Sequence, residues 1–320
     1  MIAFVFPGQG SQRVGMGKAL ADAFPVCRDT FEQADDALGE PLSRLCFEGP
    51  EDRLTLTENT QPAVLTMSVA THRLLISRGY TPSLVAGHSL GEYSAHVAAG
   101  TLAFADALRI VRRRGRFMQE AVPVGIGAMA VVLGLDADNV RQACDEASEG
   151  EVVSAANFNA PGQIAIAGTR AAVERAGVRA RELGARRILP VPVSAPFHCS
   201  LMKPAETRLE SELRAIVASD PLVPVVANVD AELKRDVRSA IDALVRQVSA
   251  PVRWEDVIHR LGSAGVNTYV EVGPGKVLSG MIRKINRAAR VVNVEDPDSF
   301  VAAEVSLGAP ETKFSDSVAR

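Results

Sequence analysis

The sequence predicts an α/β fold in which a mostly parallel sheet is interrupted by a small inserted unit. Short apolar runs alternate with helical periodicity in both the first and the last part of the chain, as expected of strands joined by crossover helices. Residues 84–99 contain an apolar run, a glycine-flanked turn and a helical stretch. Residues 129–191 instead follow the order strand, helix, strand, strand, helix, strand, which is the ferredoxin-like βαββαβ arrangement.

The first part of the chain has the spacing of a parallel sheet with crossover helices. Its predicted elements are strand 2–6, helix 61–78, strand 84–87 and helix 104–121. We expect Pro62 in the first turn of its helix, where a missing N–H is tolerated. The glycine-rich residues 123–127 break this pattern, and we place a domain boundary there.

The rest of the chain divides into the inserted unit and a return to helix–strand alternation. The predicted elements of the inserted unit are strand 129–135, helix 138–148, strands 152–157 and 163–167, helix 169–183 and strand 187–191. Beyond it we expect helix 202–218, strand 223–227, helices near 240–248 and 255–264, strand 268–272, and a last helix and strand ending at residue 294. The predicted division is a discontinuous main domain of residues 1–124 and 196–295, a subdomain of residues 125–195, and a flexible tail of residues 296–320.

The composition narrows the classes of function. The chain has 320 residues, a net charge of −3, one Trp and three Tyr, which does not favour nucleic-acid or membrane binding. The amino-terminal run lacks a basic region and reaches Pro7 early, so we expect no signal peptide and a cytoplasmic protein. The four cysteines show no disulfide or zinc spacing, and we expect no metal. No segment has the pattern of a spare apolar interface, which favours a monomer.

The most informative motif is G-x-S-x-G at residues 87–91, between a predicted strand and a predicted helix. In this context it is typical of a nucleophile elbow, in which glycines permit a strained turn that exposes the hydroxyl of Ser89. The backbone N–H of Leu90, at the start of the helix, can then stabilise an oxyanion. So short a motif also fits an ordinary glycine turn, but its position between strand and helix favours catalysis.

A serine nucleophile needs a base, and the chain has five histidines. Three fall inside predicted helices: His72, His96 and His259. His88 adjoins Ser89 and is expected to shape the turn. His198 lies in a loop just after the inserted unit, so we favour it as the base over a structural loop histidine. No acidic residue fits the third position of a triad, and a neutral acceptor is one solution.

Two further residues point to the substrate and the oxyanion. Arg114 falls on the inward face of its predicted helix, where it either binds a carboxylate or extends along the edge of the core. The first role implies an acyl substrate with a free acid end. Gln9 lies between two glycines, so its backbone N–H can approach a ligand as a second oxyanion donor. Arg13 stands where a dinucleotide-binding loop would have its third glycine.

Seven motifs in one order carry a family resemblance. They are residues 6–12 (FPGQGSQ), 58–62 (ENTQP), 87–92 (GHSLGE), 157–163 (NFNAPGQ), 196–198 (PFH), 251–254 (PVRW) and 271–275 (EVGPG). Over residues 1–295 the chain resembles the malonyl-CoA:acyl carrier protein transacylases of bacterial fatty acid synthesis and the related acyltransferase domains of polyketide synthases. The resemblance implies an α/β-hydrolase-like core with a ferredoxin-like insert.

The resemblance also implies a role for each site residue. By this resemblance Ser89 is the nucleophile, His198 is the base, and the N–H groups of Gln9 and Leu90 are the oxyanion donors. Arg114 is the cation that binds the malonyl carboxylate, and the carbonyl oxygen of Gln247 holds the histidine. Gln61 and Gln163 are further residues of the cleft. Phe197 is an aromatic residue where some members carry a small one. Its ring is expected to block a methyl branch on the acyl α-carbon and so select malonyl groups.

The expected reaction is ping-pong transfer of malonyl from malonyl-CoA, through Ser89, to the phosphopantetheine thiol of acyl carrier protein, without a metal or cofactor. A serine hydrolase or thioesterase, and a non-catalytic module that binds acyl-CoA or the carrier, are the alternatives. A late helix and its exit contain five basic residues, Lys276, Arg283, Lys284, Arg287 and Arg290. All of them except Lys284 are expected near one face. This group either docks the acidic carrier or is a solvated face.

Overall fold

Two β-sheets organise residues 1–123, 125–193 and 195–309, which are the part of the chain that the computed structural model describes. The described residues form ten strands, numbered along the chain: β1 Ile2–Phe6, β2 Leu84–Gly87, β3 Gly127–Leu133, β4 Val153–Ala160, β5 Gln163–Thr169, β6 Arg187–Pro190, β7 Val225–Val226, β8 Leu233–Lys234, β9 Thr268–Val272 and β10 Arg290–Val294.

Helices connect and cover these strands. In chain order they are α1 Lys18–Ala23, α2 Pro25–Leu38, α3 Leu42–Glu48, α4 Glu51–Leu54, α5 Thr57–Ser77, α6 Gly91–Ala98, α7 Phe104–Glu120, α8 Ala137–Ala147, α9 Arg170–Glu182, α10 Lys203–Ala215, α11 Val237–Gln247, α12 Trp254–Ser263, α13 Val277–Ile285 and α14 Pro297–Leu307. A short 3-10 helix, Ser200–Met202, precedes α10. Within the described ranges no helix is both long and apolar enough to cross a membrane.

The larger sheet has the order β10-β9-β1-β2-β7-β8, and only the β7–β8 pair is antiparallel. Residues 3–6 of β1 are fully buried, as expected for a parallel strand covered by helices on both faces. In the β1–β2 register Phe6 pairs with Gly87, so the two strands end at the same edge of the sheet. The loops that carry Gln9 and Ser89 therefore leave the sheet side by side. The prediction of a mixed α/β fold with a mostly parallel sheet is confirmed.

The smaller sheet has the order β4-β5-β3-β6 and is antiparallel throughout. Its side chains alternate between two cores, because successive residues of a strand point to opposite faces. Ala130 and Val132 of β3 pack with helices α8 and α9, whereas Met129 and Val131 of the same strand face the larger core. One face of this sheet is therefore available to cover the larger unit.

Two predictions about helix boundaries are wrong. The helix expected at 61–78 begins at Thr57, so Pro62 lies inside α5. Since proline has no N–H, it cannot make the hydrogen bond to the carbonyl one turn earlier that an interior helical residue normally makes. Part of the tail, expected as a flexible extension, forms helix α14. Asp296 and Ser299 cap this helix reciprocally, and Phe300 is 1% exposed in the core. Residues 310–320 of the predicted tail, and Val124 at the predicted boundary, lie outside the described residues.

Candidate active site

Ser89 occupies a strained turn between β2 and α6. Its φ is 51°, in the left-handed region that non-glycine residues seldom adopt. The turn requires glycine at both flanking positions, because a Cβ on Gly87 would lie 1.9 Å from the Gly91 carbonyl carbon and one on Gly91 would lie 2.0 Å from the Phe6 oxygen. The neighbouring strand β1 thus packs directly against the elbow.

His198 contacts the nucleophile. The Ser89 Oγ and His198 Nε2 atoms are 2.7 Å apart, and His198 Nδ1 lies 3.0 Å from the main-chain oxygen of Gln247. Since that carbonyl can only accept, Nδ1 carries the proton and Nε2 is free to accept from the serine hydroxyl. Burial, with the nearby Arg114 charge, lowers the pKa of His198 to about 3. The imidazole is therefore neutral at pH 7.

Arg114 extends from α7 into the same site and is 2% exposed. Its Nη1 donates to Gln61 Oε1 at 2.8 Å, and its Nη2 donates to Gln247 Oε1 at 3.0 Å and to Ser89 Oγ at 3.2 Å. The guanidinium carbon lies 5.4 Å from the centre of the Tyr93 ring. Burial lowers the pKa of Arg114 from its usual range. Across the described ranges no carboxylate pairs directly with this cation.

The two expected oxyanion donors lie on adjacent loops. A Cβ on Gly8 would come 2.5 Å from the His88 carbonyl oxygen, so the loop after β1 lies against the turn after β2. The Gln9 side chain donates to Thr57 Oγ1 at 3.2 Å. The Ser89 N–H already donates to Asn228 Oδ1, whereas the N–H groups of Gln9 and Leu90 have no acceptor among the described residues. Neither N–H is therefore occupied within the described residues.

A cavity of about 310 Å³ opens between the two sheets at this point. Its lining includes the predicted residues Gln9, Gln61, Ser89, Arg114, Gln163, Phe197 and His198. The wall formed by the smaller sheet combines apolar side chains, Met129, Val131 and Ala165, with the amides of Asn157, Asn159 and Gln163. Gln163, at the start of β5, accepts a hydrogen bond from Lys284 Nζ at 2.8 Å and so links this wall to α13. A volume of this size is at the lower end of the range typical of small-molecule sites.

Sequence reasoning missed Asn228 and assigned no role to Glu92. Asn228 accepts from the Ser89 N–H at 2.7 Å and donates to the Gly87 carbonyl at 2.7 Å, so it holds both sides of the elbow. Its own N–H donates to Glu92 Oε2. The signal for Asn228 was its position just after predicted strand 223–227, at the edge of the sheet where ligands of parallel sheets bind.

Within the described residues, His88 makes no hydrogen bond to the hydroxyl of Ser89. Its Nε2 lies 2.8 Å from Asn159 Oδ1 of β4, and its ring packs edge-on to Trp254. Burial lowers the pKa of His88. This residue therefore joins the elbow to the smaller sheet. No group of three or more His, Cys, Asp or Glu residues in the described ranges has an arrangement that would hold a metal ion.

The five basic residues do not share one helical face, because α13 ends at Ile285 and β10 begins at Arg290. All five are exposed. Several have partners: Arg283 donates to the Val291 carbonyl, Lys284 to Gln163, and Arg290 to Ser306. The group lies along the exit of α13, with Lys284 at the side of the cavity.

The chain is similar to known proteins over most of its length. A family profile described as an acyl transferase domain matches residues 3–298. Malonyl CoA-acyl carrier protein transacylase of Bacillus subtilis is 49% identical over 307 residues, covering 96% of this chain and 97% of the relative. The protein of the same description from Escherichia coli K12 is 50% identical over 302 residues, covering 94% and 98%.

Two solved structures are also similar to this chain in both sequence and fold. An acyl carrier protein S-malonyltransferase of Vibrio cholerae superposes with a TM-score of 0.93 at 46% identity, covering 94% of this chain and 99% of the other. A malonyl-transacylase solved in complex with a type II polyketide synthase acyl-carrier protein has a TM-score of 0.93 at 47% identity, covering 95% and 99%.

Proposed function

The chain belongs to the acyl transferase family that includes the malonyl-CoA:acyl carrier protein transacylases, and we propose that it transfers malonyl groups from malonyl-CoA to the phosphopantetheine thiol of acyl carrier protein. The roles assigned to the site residues rest on one observation. Ser89 Oγ lies within hydrogen-bond distance of a neutral histidine nitrogen and of a buried guanidinium. A nucleophile, its base and a cation for a carboxylate thus meet at one oxygen atom.

Acylation begins when His198 Nε2 takes the Ser89 proton as Oγ attacks the malonyl thioester carbonyl. The Gln247 carbonyl accepts from Nδ1–H and stabilises the imidazolium, which is the task an aspartate performs in a serine-protease triad. A neutral acceptor stabilises that cation less than a carboxylate would. Collapse of the tetrahedral intermediate breaks the C–S bond, and the imidazolium returns its proton to the departing CoA sulfur.

The oxyanion of that intermediate is held by the N–H groups of Gln9 and Leu90. Their backbones come from the adjacent ends of β1 and β2, and the Leu90 N–H also begins helix α6, where the helix dipole favours negative charge. Loss of one such donor costs about 2.7–4 kcal/mol of transition-state stabilisation in a related type of site.

The second half-reaction reverses the roles. His198 takes the proton of the carrier's thiol, the thiolate attacks the malonyl-serine ester, and the C–O bond to Ser89 breaks as the proton returns to Oγ. These steps balance with the two substrates alone, so the mechanism uses no metal or cofactor. Acyl carrier protein is the partner, and the neighbour solved with a carrier supports this choice.

Arg114 binds the malonyl carboxylate in this proposal. A guanidinium offers two parallel N–H groups to a carboxylate, and burial strengthens the pair because water competes less. Gln61 holds Nη1 and orients the planar group. Gln163 shapes the opposite side of the cavity, and Phe197, which is 8% exposed, limits the room for a branch at the acyl α-carbon.

We also infer the finer division of the fold. The strand order β4-β5-β3-β6, with α8 and α9 on one face, supports a ferredoxin-like subdomain of residues 125–195. The elbow and the parallel sheet support an α/β-hydrolase-like domain of residues 1–124 and 196–295. A cytoplasmic monomer remains our expectation for the assembly.

One assay separates the proposed function from its alternatives. The protein is incubated with malonyl-CoA, the adduct is mapped by peptide mass spectrometry, and either buffer or holo carrier protein is added. We expect a malonyl adduct on Ser89 that persists in buffer and moves to the carrier. Rapid loss in buffer would identify a hydrolase, and binding without any adduct would identify a non-catalytic module.

A further inference from the structure

Glu92 is a buried carboxyl group that the mechanism above does not use. It is 0% exposed in the first turn of α6, three residues after the nucleophile. Its Oε2 accepts two hydrogen bonds, from Gln247 Nε2 at 2.9 Å and from Asn228 N at 3.0 Å. Its Oε1 is buried and makes no hydrogen bond within the described ranges. One oxygen is thus fully satisfied, and the other can carry a proton without breaking any contact.

Glu92 is connected to Arg114 through a single amide. The Gln247 side chain accepts from Arg114 Nη2 with Oε1 and donates to Glu92 Oε2 with Nε2. Among the described residues no carboxylate contacts the buried guanidinium, and an uncompensated buried charge is costly. Because Glu92 lies behind the amide rather than on the guanidinium, it can offset that charge and still leave Arg114 open to a ligand.

We propose that Glu92 is the counter-charge of Arg114 in the empty enzyme and takes up a proton when a substrate carboxylate pairs with Arg114. Glu92 acts through Gln247 and is a positioning residue that sets acyl specificity. The inference rests on the proposed function, since it requires the malonyl carboxylate to bind Arg114. Once that pair forms, the guanidinium no longer compensates a second buried anion, and the neutral form of Glu92 becomes the more stable one.

The surroundings of Glu92 support this exchange. Burial raises its pKa to about 7, so both protonation states are accessible near neutral pH. The charged groups that face it are Arg114 from α7 and Asp230 from the turn after β7. Asp230 is paired with Lys234 and Arg246, and its pKa is lowered, so its charge stays constant above pH 6. Neighbouring Tyr93, with a pKa raised to about 12 by burial, stays neutral.

The sign of the pH effect follows from proton uptake. Malonyl binding is favoured where Glu92 is already protonated and is weakened as the pH rises through its pKa. Acetyl-CoA has the same CoA moiety but no acyl carboxylate, so it should not show this linkage. The diagnostic quantity is therefore the ratio of acylation rates, kcat/KM, for malonyl-CoA and acetyl-CoA.

The test measures that ratio from pH 6 to pH 8 in the wild-type enzyme, in Glu92→Gln and in Glu271→Gln. With a pKa near 7, the wild-type ratio should fall by up to about tenfold over this range. Glu92→Gln keeps an acceptor for Gln247 and Asn228 but cannot ionise, so its ratio should stay flat near the wild-type value at pH 6. Glu271, a second buried carboxyl, accepts from the N–H groups of Leu278 and Ser279 at a different helix, and its variant should keep the wild-type slope.

A second measurement counts the protons directly. Calorimetry of malonyl-CoA binding to Ser89→Ala, in two buffers of different ionisation enthalpy, should give uptake of up to about half a proton per site at pH 7, and none after Glu92→Gln. A flat wild-type ratio without proton uptake would overturn the role of Glu92 while malonyl transfer stands. Failure of wild-type enzyme to prefer malonyl-CoA at any pH would instead overturn the proposed function.

Discussion

The two walls of the cavity differ in how they are built. The wall from the larger sheet carries Ser89, His198 and Arg114 in a buried hydrogen-bond network, and two of these residues have positive φ, 51° for Ser89 and 61° for His198. The wall from the smaller sheet contributes side chains such as Val131, Ala165 and Asn159, and its β4–β5 pairing has two register shifts, but no described non-glycine residue of its strands has a positive φ. Strained backbone costs about 1–3 kcal/mol per residue and persists only where surrounding contacts enforce it. The reacting groups lie on the wall with strained backbone, and the wall from the smaller sheet covers them.

The largest expected effect tests whether the strained wall holds the nucleophile. Ser89→Ala should abolish acyl-enzyme formation, because no hydroxyl remains to attack the thioester. The elbow should survive, since Asn228 binds the backbone of residue 89 rather than its side chain. Intact-protein mass spectrometry after incubation with malonyl-CoA measures the adduct, and the thermal unfolding midpoint checks the fold. A wild-type level of adduct would remove Ser89 from the mechanism.

The next effect concerns the base. His198→Ala should slow acylation by about 10²- to 10⁴-fold, the usual contribution of a general base. Rapid-quench kinetics of adduct formation measure the rate. His259→Ala is a matched control, because that histidine is exposed on α12, where it lies near Glu255. Near wild-type acylation by His198→Ala would mean that another group takes the proton.

The third effect separates recognition from chemistry on the same wall. Arg114→Ala should impair malonyl-CoA far more than acetyl-CoA, because truncating one partner of a buried charged pair costs about 2–5 kcal/mol. Steady-state kinetics with both substrates decide the matter. Arg116→Ala on the same helix removes an exposed arginine and should change neither. An equal loss for both substrates in Arg114→Ala would make Arg114 a structural residue.

The fourth effect lies where the two walls join. Pro196 packs against Gly127 of β3, where an added Cβ would come 2.3 Å from its ring, and the next residue is Phe197. Phe197→Ser should raise the rate with methylmalonyl-CoA relative to malonyl-CoA. A single methyl group in an apolar pocket is worth about 1–3 kcal/mol, so the gain should stay below a few hundredfold. Competition between the two substrates measures it, and an unchanged ratio would mean that the ring does not limit branching.

The sequence allowed prediction of those features that depend on local chemistry. The strand, glycine turn and helix around Ser89 follow from steric demands of residues close together in the chain. The alternation in the inserted unit likewise predicts its elements. Helix α14 was missed because its stability comes from a two-residue cap and from burial of Phe300 in a distant core, neither of which produces strong periodicity.

Those site residues that lie in a recognisable motif or at an unusual position could be predicted from the sequence. Ser89, His198 and Arg114 stand out by residue type and position, and the structure brings them together. The position of Asn228 after a predicted strand was a weak signal for it, but its hydrogen bonds and the link from Glu92 to Arg114 could not be predicted, since they depend on which strand lies beside β2 and on the direction of buried amides. Long-range hydrogen bonds of this kind require the folded chain.

The smallest expected effect tests whether the rim across both walls docks the carrier. Lys284 of α13 bonds Gln163 of β5, so the basic residues near the exit of α13 lie beside the cavity. If this surface binds an acidic carrier, Arg283→Glu with Arg287→Glu should raise the apparent KM for carrier protein several-fold. Exposed charge pairs contribute about 0.2–1 kcal/mol each, which limits the effect. Acylation by malonyl-CoA should not change, because neither residue lines the cavity.

Salt dependence makes this last prediction specific to the surface. Screening weakens exposed charge pairs, so the carrier step of the wild-type enzyme should slow as ionic strength rises, and the double variant should lose that dependence. Stopped-flow measurement of each half-reaction at two salt concentrations tests this. Arg235→Glu with Arg238→Glu applies the same charge change near the start of α11, about 13 Å along the helix from Gln247 at its other end. An equal effect of the two double variants would mean that net charge, and not this surface, determines carrier binding. An unaltered carrier step in Arg283→Glu with Arg287→Glu would mean that the carrier docks elsewhere.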